Sequence, residues 1–131
     1  MIRNSSLKVF RLAFLILAVT LACRGSVSSS GGSRVSSNEQ ATVNVSAQEF
    51  EFVLDATQSG PGTITFVVRN NGHMPHDFAI SGNGVDEKTP MLDSGDTARL
   101  EVTLEPGTYD YVCTVPGHAI LGMTGTFTVT P

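Results

Sequence analysis

From Ala41 to the end of the chain, apolar and polar residues alternate, and no other feature restricts the fold so much. Val43 and Val45 alternate with Thr42, Asn44 and Ser46, and Phe50, Phe52 and Leu54 with Glu49 and Glu51. Ile64, Phe66 and Val68 alternate with Thr63, Thr65 and, less cleanly, Val67. The pattern returns in Ala98, Leu100, Val102 and Leu104, and again in Phe127 and Val129 among threonines. Successive side chains of a strand point to opposite faces, so this alternation predicts antiparallel strands with one buried face. Turn-forming clusters separate the runs: Ser59-Gly60-Pro61-Gly62, Asn70-Asn71-Gly72, Ser81-Gly82-Asn83-Gly84, Asp93-Ser94-Gly95-Asp96 and Glu105-Pro106-Gly107. No segment carries a helical period. The expected class is all-β, a sandwich of about six to eight short strands.

The length, 131 residues, suits one such domain. The formal net charge is -4, so no basic surface points to nucleic acid as a partner. Only 15% of residues are charged, and the abundance of Val, Thr, Ser and Gly favours strands and turns.

The N-terminal stretch has a different character. Arg3, Lys8 and Arg11 precede an apolar run from Leu12 to Ala22 that is too short to span a bilayer comfortably. Residues 1–23 therefore read as an export segment. Its end, Ala22-Cys23, resembles a bacterial lipoprotein cleavage site, with Thr20 where Leu is more usual; Cys23 is then the lipidated residue. An ordinary cleaved signal or an uncleaved anchor leads to the same place, outside the cytoplasm and near a membrane. Residues 24–40 are rich in Ser and Gly and lack a hydrophobic period, which predicts a flexible linker. Residues 41–131 form the folded domain. Three of the eight Lys and Arg residues, and none of the twelve Asp and Glu, lie in the first 22 residues. Their removal leaves a more acidic domain, biased toward basic partner surfaces.

The chemistry concentrates between Tyr109 and Phe127. Cys113 ends a predicted strand, His118 follows after four residues, and Met123 after four more. Thiolate, imidazole and thioether are soft or borderline ligands. Pro116 and Gly117 at one side and Gly122 at the other can turn all three toward one point. A fourth candidate, His76, lies upstream in Asn70-Asn71-Gly72-His73-Met74-Pro75-His76-Asp77-Phe78 and shares a strand face with Phe78 and Ile80. A lone Cys in a strand is more often a small core hydrophobe, and a lone His near a turn more often a surface residue. The four together, in this spacing, favour a metal site. His73, on the turn, reads as a solvated residue.

Residues 41–131 resemble the cupredoxins, the type 1 blue-copper family that includes plastocyanin, azurin and auracyanin. The C-x4-H-x4-M spacing is similar to auracyanin, Cys113-Thr114-Val115-Pro116-Gly117-His118 to azurin, and Asn70 to Asp77 to plastocyanin. The resemblance implies a Greek-key β-sandwich holding one copper ion. It implies His76, Cys113 and His118 as equatorial ligands, Met123 as axial ligand, and the His118 edge near the surface. It implies a monomeric one-electron carrier, not an enzyme, exchanging electrons with redox proteins such as membrane complexes or a cytochrome. Three residues depart from the family pattern. Pro75 stands where azurins have a Gly whose carbonyl approaches copper, so no fifth ligand of that kind is expected. Asp77 replaces the Asn that braces the cysteine loop, with Thr114 as its expected partner. Val112 replaces a surface Tyr of plastocyanins.

Tyr109, after Pro106-Gly107-Thr108, is placed to make a tyrosine corner. Met74, Pro116, Ile120 and Leu121 are candidates for an apolar collar around His118. The competing functions are a copper chaperone or storage protein, a copper enzyme and a metal-free adhesive sandwich. A chaperone predicts exposed Met- or His-rich ligands. A copper enzyme needs more His ligands than three histidines can supply.

Overall fold

A computed structural model describes residues 40–131. The export segment, Cys23 and nearly all of the linker lie outside the described residues. Nine strands follow in order: β1 (Ala41–Gln48), β2 (Glu51–Leu54), β3 (Gln58–Ser59), β4 (Gly62–Asn70), β5 (Ala79–Gly82), β6 (Val85–Lys88), β7 (Thr97–Leu104), β8 (Gly107–Val112) and β9 (Thr124–Val129). Among the described residues there is no helix. The strands form a four-stranded sheet, ordered β2-β1-β4-β7, and a five-stranded sheet, ordered β3-β9-β8-β5-β6. This is the all-β sandwich expected from the alternation.

Two details differ from the expectation. The strand count exceeds about six to eight because β3, only two residues long, and the polar β6 carry no alternating signal of their own. The sheets are also mixed: β1 pairs with β4, and β3 with β9, in parallel. Alternation reports which face is buried, not the direction of the neighbouring strand.

The apolar sets of both sheets meet in one core. Phe66 of β4 lies 5.2 Å from Phe78 and 5.3 Å from Phe127, measured between ring centroids. Phe78 in turn stacks on Tyr111 at 5.5 Å. Burying one such side chain stabilises the fold by about 1.5–3 kcal/mol. The β5–β6 hairpin turns on Asn83-Gly84, both with positive φ (48° and 85°), as a two-residue turn matched to strand twist requires. At the Gly107 end of β8, Tyr109 is buried and donates its hydroxyl hydrogen bond to the Glu105 carbonyl at 2.9 Å. That is the tyrosine corner anticipated from the sequence.

Candidate metal centre

Strands β8 and β9 pair up to Val112 and Thr124, so the loop between them begins at Cys113 and ends at Met123. One further rung, Cys113 N–H to the Met123 carbonyl at 3.0 Å, closes the loop across its base. Within it, His118 N–H donates to Val115 O and Met123 N–H to His118 O, each at 3.1 Å. Gly122 takes a φ of 119°, open to glycine and strained for other residues. A Cβ there would also lie 3.3 Å from the Phe50 carbonyl. The loop is therefore folded by its own backbone bonds into a shape that brings Cys113, His118 and Met123 back together. All three are buried.

His76 comes from the other side of the core. It lies before β5, tied to Leu92 by a two-way backbone bridge: His76 N–H to Leu92 O at 3.1 Å and Leu92 N–H to His76 O at 2.8 Å. Asn70 braces the same segment, its amide donating to Met74 O at 2.8 Å and Leu92 O at 2.9 Å. His76 points inward like Phe78 and Ile80, as expected, and all three are fully buried.

These two segments put three donor atoms in one small triangle. His76 Nδ1 lies 3.1 Å from His118 Nδ1, and Cys113 Sγ lies 3.9 Å and 3.6 Å from those two nitrogens. A metal bound in a trigonal plane, with about 2.0 Å to nitrogen and about 2.3 Å to sulfur, needs separations of about 3.5–3.7 Å. The triangle fits such an ion with shifts of a few tenths of an ångström. Met123, fully buried, packs in one cluster with Cys113 and Ala47.

The electrostatics agree with that chemistry. Burial, then the neighbouring His118, hold His76 below its ordinary pKa, so its imidazole stays neutral and available as a ligand. Burial pushes the Cys113 thiol up, while backbone N–H groups of Asp77 and Val115 act on the sulfur in the opposite sense. A bound cation reverses the burial effect and takes the thiol as thiolate. Asp77, buried, accepts from Thr114 N–H at 2.6 Å and from the Thr114 hydroxyl, the partner expected of it, and so ties the cysteine loop to the His76 segment. Lys88 Nζ stands 4.0 Å from Oδ2, the oxygen that accepts the Thr114 hydroxyl.

His73 is exposed, as expected of a turn residue. Met74, Pro116, Ile120 and Leu121 are all exposed around this end, Ile120 at 92% and Leu121 at 60%. His118 is less open than the resemblance implied, with 3% of its surface accessible. The ring of Phe50 packs edge-on against it at 5.0 Å.

Sequence reasoning missed Glu49 and Phe50, which it placed only in the alternating pattern of the second strand. They form the turn between β1 and β2. Glu49 Oε1 accepts the backbone N–H of His73 and, at 2.7 Å, of Met74. Those two bonds, Met74 first, hold the Glu49 carboxyl down to about 2. Nothing local in the sequence marks these residues, because each acts on a segment far along the chain.

A family model described as copper binding proteins, plastocyanin/azurin family, matches residues 37–130. Auracyanin-B from Chloroflexus aurantiacus is 52% identical over 44 residues, 33% of this chain and 19% of that relative, so the match spans about a fifth of the relative's length. A solved structure of auracyanin B superposes with a TM-score of 0.60 at 26% identity, covering 70% of this chain and 89% of that one. Dithionite-reduced auracyanin from Roseiflexus castenholzii shares the fold, with a TM-score of 0.60 at 23% identity over 70% of this chain and 98% of its own. With its matched residues spanning the entire sandwich and the buried Cys–His–His triangle at one end, the chain belongs to the plastocyanin/azurin family of copper-binding proteins.

Proposed function

We propose that the protein is a one-electron carrier that holds one copper ion with His76, Cys113 and His118 as its three strong ligands and Met123 as its weak fourth. The observation that carries this reading is the buried triangle of two imidazole nitrogens and one sulfur. When bound, copper supplies a one-electron couple between Cu(I) and Cu(II). The chain's own part is to hold the donors still and keep water away. His76 is fixed by the Leu92 bridge and the cysteine loop by its backbone bonds and the Asp77–Thr114 brace, so little reorganises as the charge changes. The sequence has three histidines, two of them in the triangle, and a catalytic copper would need further His ligands, which favours the carrier over an enzyme.

Electrons pass at the Ile120–Leu121 end, where exposed apolar residues collar the nearly covered His118. The partners are redox proteins, membrane complexes or a cytochrome, met by a monomeric domain outside the cytoplasm. Residues 1–23 export the chain, lipidated Cys23 anchors it to the membrane, and residues 24–40 tether the domain of residues 41–131.

The test is the optical and electron-paramagnetic-resonance spectrum of the chain with Cu(II), beside Cys113→Ala. An intense red-region charge-transfer band, bleached by reductant and lost in the variant, is expected. A weak, ordinary Cu(II) spectrum sinks the carrier reading and favours copper delivery or storage. Leu121→Lys, in turn, should slow electron exchange with a redox partner and leave the copper spectrum alone. Equal rates would remove the collar from the account.

A further inference from the structure

His76 turns Nδ1 toward Cys113 and His118, so its other ring nitrogen, Nε2, faces the opposite way. A neutral imidazole that offers one nitrogen as a ligand carries its proton on the other. Here that other nitrogen is buried and has no hydrogen-bond partner; among the described residues it is the one buried side-chain polar atom in that condition. A buried donor left unmatched is unfavourable, because it has given up water without a replacement. Its nearest charged group is Glu49, with Oε1 at 3.7 Å.

Glu49 is held in that place by more than chance proximity. Oε1 accepts from both His73 and Met74 N–H, three and two residues before His76. Gly72 leaves room for the carboxylate: a Cβ there would meet Oε1 at 2.5 Å and Oε2 at 2.7 Å. Gly72 itself is pinned, N–H to Asn70 Oδ1 at 2.9 Å and carbonyl to the Ser94 hydroxyl at 2.6 Å. On the next residue, Phe50 packs its ring on His118 and its carbonyl against Gly122. The β1–β2 turn thus touches both ligand-bearing segments at once.

We propose that Glu49 is a positioning residue for His76: its carboxylate orients the ring by facing the Nε2–H and adds negative charge behind the ligand, favouring the oxidised metal. The proposal rests on the copper-carrier reading above. A carboxylate behind a metal-bound imidazole fixes its orientation and raises its basicity, and loss of such partners typically lowers metal affinity by about 10–100-fold.

Glu49→Gln separates this role from that of a loop clamp. The amide oxygen still accepts from His73 and Met74, so folding and the blue spectrum should persist while the charge is gone. In the copper-loaded full chain, the expected result is a higher reduction potential, read as a larger Cu(I) fraction at the same ambient potential. Glu49→Ala, which also frees the loop, should lower Cu(II) affinity against a competing chelator by about 10–100-fold; should it not fold, Glu49→Gln still decides. In the diamagnetic Cu(I) form, the His76 Nε2–H proton resonance should shift in Glu49→Gln, where the charge facing it is gone, and should lose its wild-type protection from exchange in Glu49→Ala. A wild-type blue centre whose potential and His76 resonance ignore Glu49→Gln overturns the role of Glu49 alone. A wild-type chain that binds no copper overturns the carrier reading and this role together.

Discussion

Midway between the two sheets, the rings of Phe66, Phe78, Phe127 and Tyr111 pack 5.2–5.5 Å apart and fill the space with apolar surface. At the His76 end the same strands bury two imidazoles and a thiol. There a buried ring nitrogen goes without a partner, and two Nδ1 atoms face each other at 3.1 Å. The first region is finished by folding. The second is a set of donors that folding brings together, the two Nδ1 atoms and the Cys113 sulfur converging where a cation fits. Burying polar groups without partners is unfavourable, so the ring-packed middle must supply the stability that holds the metal end in shape. The asymmetry is that the middle packs without the site, while the site depends on the middle.

Phe66→Ala is the most severe way to break that asymmetry. Phe66 is fully buried and touches Phe78, whose segment leads back to His76, and Phe127 on the opposite sheet. Truncating a buried Phe costs about 3–5 kcal/mol, a large part of the stability of a domain this size. Denaturant unfolding of the metal-free protein should show that loss, and copper binding should weaken with it. A variant that keeps its midpoint within experimental error would mean that the middle is not what holds the sandwich.

Met123→Leu sharpens the same contrast from the other side. The two side chains are close in volume, and such swaps in a packed core usually cost under about 1.5 kcal/mol. The metal-free melting curve should therefore barely move. On the proposed assignment, however, the substitution removes a sulfur donor that stabilises the more electron-poor Cu(II), and the axial ligand is a known control on the potential of such centres. The reduction potential should rise while the blue band persists. An unchanged potential would make Met123 a packing residue of the Ala47–Cys113 cluster and nothing more.

The two regions also differ in how much of them could be read in advance. The middle announces itself locally: Val43, Val45, Phe66, Val68, Leu100 and Val102 alternate with polar neighbours, and all six are buried. Parallel pairing of β1 with β4 escaped because burial pattern carries no strand direction. Cys113, His118 and Met123 were legible because one short loop carries them, and a loop of fixed length with Pro and Gly limits what its side chains can do. The Asp77–Thr114 contact was expected from the resemblance, which puts a loop-bracing Asn next to the first His, while the role of the carboxylate itself was not legible. Glu49 and Phe50 were not legible. Glu49 meets its partners 24 and 25 residues away in sequence, across a strand pairing that alternation does not encode. A Glu beside Phe50 at the head of an alternating run looks like any solvent-facing strand position until the loop that it caps is in view.

Asp55 gives the smallest effect and the cleanest separation. The β1–β2 hairpin that carries Glu49 at its turn carries Asp55 past its open end, where Asp55 Oδ1 accepts Asn44 N–H at 2.9 Å and Oδ2 the Asn44 side-chain amide at 2.7 Å. The Asn44 side chain first, then its backbone N–H, hold the Asp55 carboxyl below its ordinary 3.8. A carboxyl whose folded value is depressed binds its proton more readily in the unfolded chain. Its contribution to stability is therefore whole above about pH 3.8 and drains away as pH falls below that value toward the folded one. The group is exposed, so the contribution is small and screened by salt. Asp55→Asn should lower the melting temperature slightly near neutral pH, and the gap from wild type should close as the solution is acidified. At neutral pH its copper potential should match wild type, because this end of the hairpin touches neither ligand segment. Should Asp55→Asn shift the potential as Glu49→Gln is expected to, the hairpin would be transmitting strain along its length, and the division into a supporting middle and a separately tuned metal end would fail.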